Sequence, residues 1–204
     1  MRYIHRFVPP SVAGASPRTL LLLHGTGGNE DDLLPLGPML DPVAALVSPR
    51  GDVLENGMPR FFRRLREGVF DEADLRVRAQ ALAAFVEEMR AAHGLGPVIA
   101  VGFSNGANVA TAVLLLHPGA LAGAVLFAAM VPIVPDPLPD LSRVPVWIGE
   151  GREDPMVPVE EAERLAALLQ RANADVTLHW HPGGHALHPA EVAAARAWLV
   201  DRRS

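Results

Sequence analysis

Between Pro97 and Gly119 the chain passes from an unbroken apolar run, Val98-Ile99-Ala100-Val101, through Gly102-Phe103-Ser104-Asn105-Gly106, into a small apolar stretch closed by Pro118-Gly119. No other stretch restricts the fold as tightly. Pro97 to Phe103 has the length and composition of a buried strand, and Asn105 to His117 reads as a helix. A serine set between two glycines at such a junction predicts a sharp strand–turn–helix reversal. Backbone there passes so close to its neighbours that side chains at the glycine positions would clash. The turn pushes the serine hydroxyl out at the carboxyl end of a central strand, where a nucleophile can be reached. With 18 glycines and 6 serines in 204 residues, chance supplies about 0.05 such G-x-S-x-G matches per chain. Requiring a strand before and a helix after lowers that number, so Ser104 is read as a nucleophile rather than a turn residue.

The rest of the chain repeats the same alternation. Apolar runs of strand length occur at Thr19 to His24, Val43 to Ser48, Gly123 to Ala128, Val144 to Gly149 and Asp175 to His181. Arg2 to Val8 reads as an outer, more polar strand. Helical spacing of apolar residues occurs in Glu72 to His93, stopped by Gly94, in Val159 to Asn173, and in Pro189 to Arg203, with proline in the first turn. Strands alternating with helices predict an α/β fold with a mostly parallel central sheet covered on both faces. No internal repeat is visible, and the length suits one domain spanning 1–204. The proline-dense segment Pro132 to Pro145 reads as a loop, too short for a helical cap domain over the site.

Composition removes several chemistries. There is no cysteine and no lysine, so disulfides, thiolate zinc sites, cysteine nucleophiles and Schiff-base lysines are all excluded. The formal net charge of −5 gives no general attraction to nucleic acid or anionic membranes. No segment has the pattern of a signal peptide or a membrane span, and a cytoplasmic protein is expected. No cofactor and no metal are expected.

A serine hydroxyl is a weak nucleophile without an adjacent base. The candidate acid is Asp154, in the loop Gly149-Glu150-Gly151-Arg152-Glu153-Asp154-Pro155, with Glu150 and Glu153 as rivals. The candidate base is His185, in Pro182-Gly183-Gly184-His185, with His188 as its rival three residues on. His24-Gly25-Thr26-Gly27-Gly28 follows the leucine run of the strand that begins at Thr19. Such a loop can direct backbone N–H groups at a developing oxyanion. Thr26 is the first candidate donor, with Gly27 as fallback, and the Asn105 amide is the second. The loop lacks both the dinucleotide fingerprint and the lysine of a phosphate-binding loop. His24 is expected to pack and bond beneath it.

Taken together, Leu21 to Leu33, Gly102 to Asn108, Asp154-Pro155-Met156-Val157-Pro158 and Gly184-His185 resemble the phospholipase/carboxylesterase family of small α/β-hydrolases. Ser48-Pro49-Arg50-Gly51 and the segment Phe61 to Asp71 resemble its bacterial esterase branch, some members of which are associated with hydroquinone resistance. The resemblance covers most of the chain in the right order. It implies an ester hydrolase with Ser104, Asp154 and His185 as its triad and Thr26 and Asn105 as its oxyanion hole. The acyl-protein thioesterase branch usually carries glutamine and two glycines after the serine. Asn105-Gly106-Ala107 departs from that and argues against assuming a lipidated-protein substrate.

The expectation is a serine carboxylesterase acting on short- to medium-chain esters of small molecules. An acyl thioesterase or lysophospholipase with the same triad is the enzymatic alternative. A non-catalytic ligand-binding protein of the same fold is the alternative of a different class. Substrate contacts are expected from Met130 and Val131, with Ile133, on one wall and from Phe61 and Phe62 on the other. Ordinary core is the competing reading of both clusters. A homodimer is left open.

Overall fold

The computed structural model describes residues 3–11 and 18–202. Its sheet-forming strands are β1 (His5–Val8), β2 (Thr19–Leu23), β3 (Ala45–Pro49), β8 (Val98–Phe103), β9 (Gly123–Phe127), β10 (Pro145–Gly151) and β11 (Asp175–His181). They form one seven-stranded sheet in the order β1-β3-β2-β8-β9-β10-β11. Only the β1–β3 pair is antiparallel. Arg2 of the expected outer strand and Arg203 of the expected last helix lie outside the described residues.

The helices are α1 (Leu36–Leu40), α2 (Glu72–His93), α3 (Asn105–Leu116), α4 (Val159–Arg171) and α5 (Pro189–Asp201). Strand side chains alternate between two cores. Leu21 and Leu23 of β2 join α2, α3 and α4 on one face, while Leu20 and Leu22 join α1 and α5 on the other. A sheet buried on both faces needs such continuous leucine runs. The ends of α2 follow their capping chemistry. Asp71 accepts a hydrogen bond from the Asp74 N–H at the start of α2, and Gly94, at φ +62°, closes its end.

Five elements were not anticipated: the short helix α1 and two small hairpins between β3 and α2. The hairpins pair β4 (Val53–Glu55) with β5 (Met58–Arg60), and β6 (Arg64–Arg66) with β7 (Val69–Phe70). Asn56 and Gly57, both at positive φ, make the first turn. After β9 the chain runs without a helix or strand until β10, and no cap domain covers the carboxyl edge of the sheet.

Candidate active site

Ser104 sits between β8 and α3 with φ +53° and ψ −114°, a strained conformation for a residue with a side chain. The surroundings hold it there. Its N–H donates to Phe127 O at 2.9 Å, and its carbonyl accepts from the Asn108 N–H at 2.9 Å. Both flanking glycines are required by close approach. A Cβ on Gly106 would lie 1.9 Å from Leu23 O, and one on Gly102 would lie 2.6 Å from Ala107 Cα. The amino end of α3 then points its partial positive charge at the serine.

His185 Nε2 lies 3.0 Å from Ser104 Oγ, and His185 Nδ1 lies 2.6 Å from Asp154 Oδ2. The Asp154 side chain has no solvent exposure. Its other oxygen, Oδ1, accepts from the Met156 N–H at 2.7 Å and the Val157 N–H at 3.0 Å. Those two bonds leave Oδ2 to receive Nδ1–H, so Nε2 faces the serine as an acceptor. The acid and histidine loops are stitched together by Arg152 N–H to His181 O at 2.9 Å and Glu153 N–H to Gly183 O at 3.1 Å. Gly151 permits this, since a Cβ there would stand 2.3 Å from Gly183 O.

The rivals stand elsewhere. Glu153 is exposed. Glu150 is buried under the site and accepts from the Ala129 N–H at 2.7 Å. Burial pushes its carboxyl well above the usual carboxylate range. His188 caps α5, its ring accepting from the Ala190 N–H at 3.3 Å and stacking on His181 at 5.1 Å.

Neither the Thr26 nor the Asn105 backbone N–H has an acceptor among the described residues. The fallback donor is committed, because the Gly27 N–H donates to Pro59 O at 2.9 Å. His24 packs beneath the loop, with Nδ1 on Gly25 O at 2.6 Å and Nε2 accepting from the Gly51 N–H at 3.0 Å. Burial lowers its pKa and keeps it neutral, as an accepting Nε2 requires.

Thr26, Ser104, Asn105 and His185 line a small pocket with Arg60, Arg64, Phe70, Met130 and Met156. It opens into a depression of about 480 Å³ bordered by the β6–β7 hairpin, Met130, Val131, Pro132 and the start of α4. Met130 therefore lies beside Ser104, and Val131 lines the outer depression. Phe61 and Phe62 do not line either space. Both are fully buried in the core, Phe61 against His24 and Phe62 against Phe70. Ile133 is likewise core. The aromatic wall is Phe70, carried by a hairpin whose Glu67-Gly68 turn was the only local signal for it. Arg60 and Arg64 also reach the pocket, both paired with Glu55 at 3.2 and 2.9 Å.

Among the described residues no helix is long and apolar enough to cross a membrane, and no group of three metal-ligating side chains converges.

A mostly parallel sheet with a strained serine at the carboxyl end of its central strand, and acid and histidine on later loops, defines an α/β-hydrolase. The chain belongs to the phospholipase/carboxylesterase family, whose profile it matches over residues 10–201. It is 51% identical over 190 residues to the hydrolase MhqD of Bacillus subtilis, covering 92% of this chain and 95% of that one. The Bacillus cereus carboxylesterase superposes with a TM-score of 0.93 at 45% identity, over 98% of this chain and 94% of that one. A carboxylesterase from Mesorhizobium loti superposes with a TM-score of 0.89 at 31% identity, over 97% and 94% of the two chains. The family identifies the protein as an esterase-type hydrolase.

Proposed function

We propose that the protein is a serine carboxylesterase that hydrolyses short- to medium-chain esters of small molecules through an acyl-enzyme on Ser104. The observation that carries this reading is the continuous hydrogen-bonded chain from Ser104 through His185 to buried Asp154, facing two unengaged amides. His185 Nε2 takes the Ser104 proton as Oγ attacks the acyl carbonyl. Asp154 fixes the ring's tautomer and stabilises its cationic form. The Thr26 and Asn105 amides hold the tetrahedral oxyanion, and His185 returns the proton to the departing alcohol. Water activated by the same ring then releases the acid.

Pocket dimensions support a short acyl group. The space beside Ser104 holds only about three water-sized groups. The wider depression beyond it offers no enclosed apolar channel. The same machinery can cleave a thioester, so an acyl-length series of matched oxygen esters and thioesters tests the bond preference.

Pre-steady-state hydrolysis of 4-nitrophenyl butyrate tests the reading. The expected result is a burst of nitrophenolate stoichiometric with active enzyme, or accumulation of acyl-enzyme at low pH. Turnover that persists in Ser104→Ala, or no turnover of any ester or thioester, would overturn it.

A further inference from the structure

Both halves of the oxyanion hole are held by one tripeptide at the end of β5. Pro59 O accepts from the Gly27 N–H at 2.9 Å, the Arg60 guanidinium donates through Nη1 to Thr26 Oγ1 at 2.5 Å, and the Phe61 N–H donates to Asn105 Oδ1 at 2.7 Å. Arg60 is almost completely buried, with Nε shared between Phe62 O and Glu55, each at 3.2 Å. The cation is therefore fixed in place rather than swinging in solvent. Burial lowers its pKa, but an arginine remains charged at any pH of interest.

The Arg60–Thr26 bond has a chemical consequence. A hydroxyl has one proton to donate and lone pairs to accept with. Thr26 Oγ1 accepts from Arg60, and its own proton has no acceptor among the described residues. Thr26 lines the pocket with Ser104, Asn105 and His185. A guanidinium bonded to the hydroxyl oxygen also makes that proton a better donor, because bonds in a chain polarise one another.

We propose that the Thr26 hydroxyl is a third donor to the oxyanion, and that Arg60 is a positioning residue that acts through it. This rests on the esterase reading above. The ester carbonyl oxygen gains negative charge as Ser104 Oγ bonds to its carbon. The Thr26 hydroxyl meets that charge alongside the Thr26 and Asn105 amides and keeps its proton throughout. The positive charge of Arg60 stands one bond behind it. The gain belongs to the transition state, since the ground-state carbonyl is a weaker acceptor.

The test uses Thr26→Val, Thr26→Ser, Arg60→Gln and the double variant Thr26→Val/Arg60→Gln. Each is assayed on 4-nitrophenyl butyrate, with inhibition by a trifluoromethyl ketone and by butyrate measured in parallel. The ketone forms an oxyanion on Ser104, whereas butyrate does not. Thr26→Val keeps the backbone amide and the side-chain shape. It is expected to lower kcat by about 10- to 100-fold with little change in KM, since two donors remain. Affinity for the ketone falls by the same factor and affinity for butyrate is unchanged. Thr26→Ser stays within about 3-fold of wild type. Arg60→Gln lowers kcat in the wild-type background and has little further effect in Thr26→Val, because the path through the hydroxyl is already gone. If Thr26→Val does not fold, Thr26→Ala carries the same comparison, read as the ratio of ketone to butyrate affinity.

An unchanged ketone-to-butyrate ratio in Thr26→Val would overturn the role of the hydroxyl. Full multiplication of the two losses in the double variant would overturn the action of Arg60 through it. Neither result touches the triad. Absence of wild-type turnover would remove the esterase reading itself, and this inference with it.

Discussion

Ser104 is held at φ +53°, a conformation that costs a residue with a side chain about 1–3 kcal/mol. Two variants separate that strain from the chemistry. Ser104→Ala removes the proposed nucleophile and keeps the strain, and it should lose at least about 10³-fold in kcat. Ser104→Gly loses the same activity but relieves the strain, so it should melt above Ser104→Ala by calorimetry. An alanine variant as stable as the glycine variant would contradict the strain. His185→Ala should abolish the acylation burst. His188→Ala should leave substantial activity and cost about 1 kcal/mol of stability through the lost helix cap. The reverse pattern would show the other ring at Ser104.

At this scale the sequence was uneven. Ser104, Asp154 and His185 were readable because fixed order and Gly-flanked turns leave few ways to bring them together. Phe61 and Phe62 were not, because an apolar pair looks the same on a wall as in a core. Arg60 and Arg64 carried no signal, since arginines in a polar segment ordinarily face solvent.

Helix α5 docks on β10 and β11 through a buried acid. Glu191 closes the capping box with His188, sits 3.6 Å from the buried His181, and packs against Gly149, with buried Glu150 nearby. Burial raises the Glu191 carboxyl to about 7 and lowers the His181 imidazole, so burial works against the charged form of both partners and the pair is no conventional salt bridge. The unfolded carboxyl titrates near 4.5. Between those values the folded protein keeps a proton that the unfolded chain releases, so stability falls as pH rises, by up to about 3 kcal/mol. Glu191→Gln keeps an N3 side chain that can serve the capping box and removes the titration. Its melting temperature relative to wild type should therefore climb from about pH 5 to pH 8. A difference that stays flat with pH would show that Glu191 does not titrate on folding. The long helices of the sheet layers were legible from their spacing and stop signals. The hairpins β4–β5 and β6–β7 were not, because strands of two or three exposed residues carry no usable alternation. Asn56-Gly57 was the clearest mark of the first.

The whole molecule is a sheet with helices on both faces and an uncovered carboxyl edge. Its architecture was legible because buried parallel strands need continuous apolar runs, and those runs alternate with amphipathic helices along the chain. Pocket shape was less so, since it depends on where loops between elements come to rest. Without a cap, acyl chains gain about 0.8 kcal/mol per buried methylene only while wall remains to cover them. The value of kcat/KM should therefore peak at short to medium acyl esters, with no interfacial activation. A steady rise to palmitoyl esters would point to a deep lipid channel.

In the proposed mechanism Ser104 is the nucleophile and His185 activates it. The most direct measurement is labelling of the whole protein with a fluorophosphonate, followed by peptide mapping. One modified peptide, carrying Ser104, is expected in the wild type. No label is expected in Ser104→Ala, and labelling should be greatly slowed in His185→Ala. Label on another residue, or full-rate labelling without His185, would contradict that mechanism.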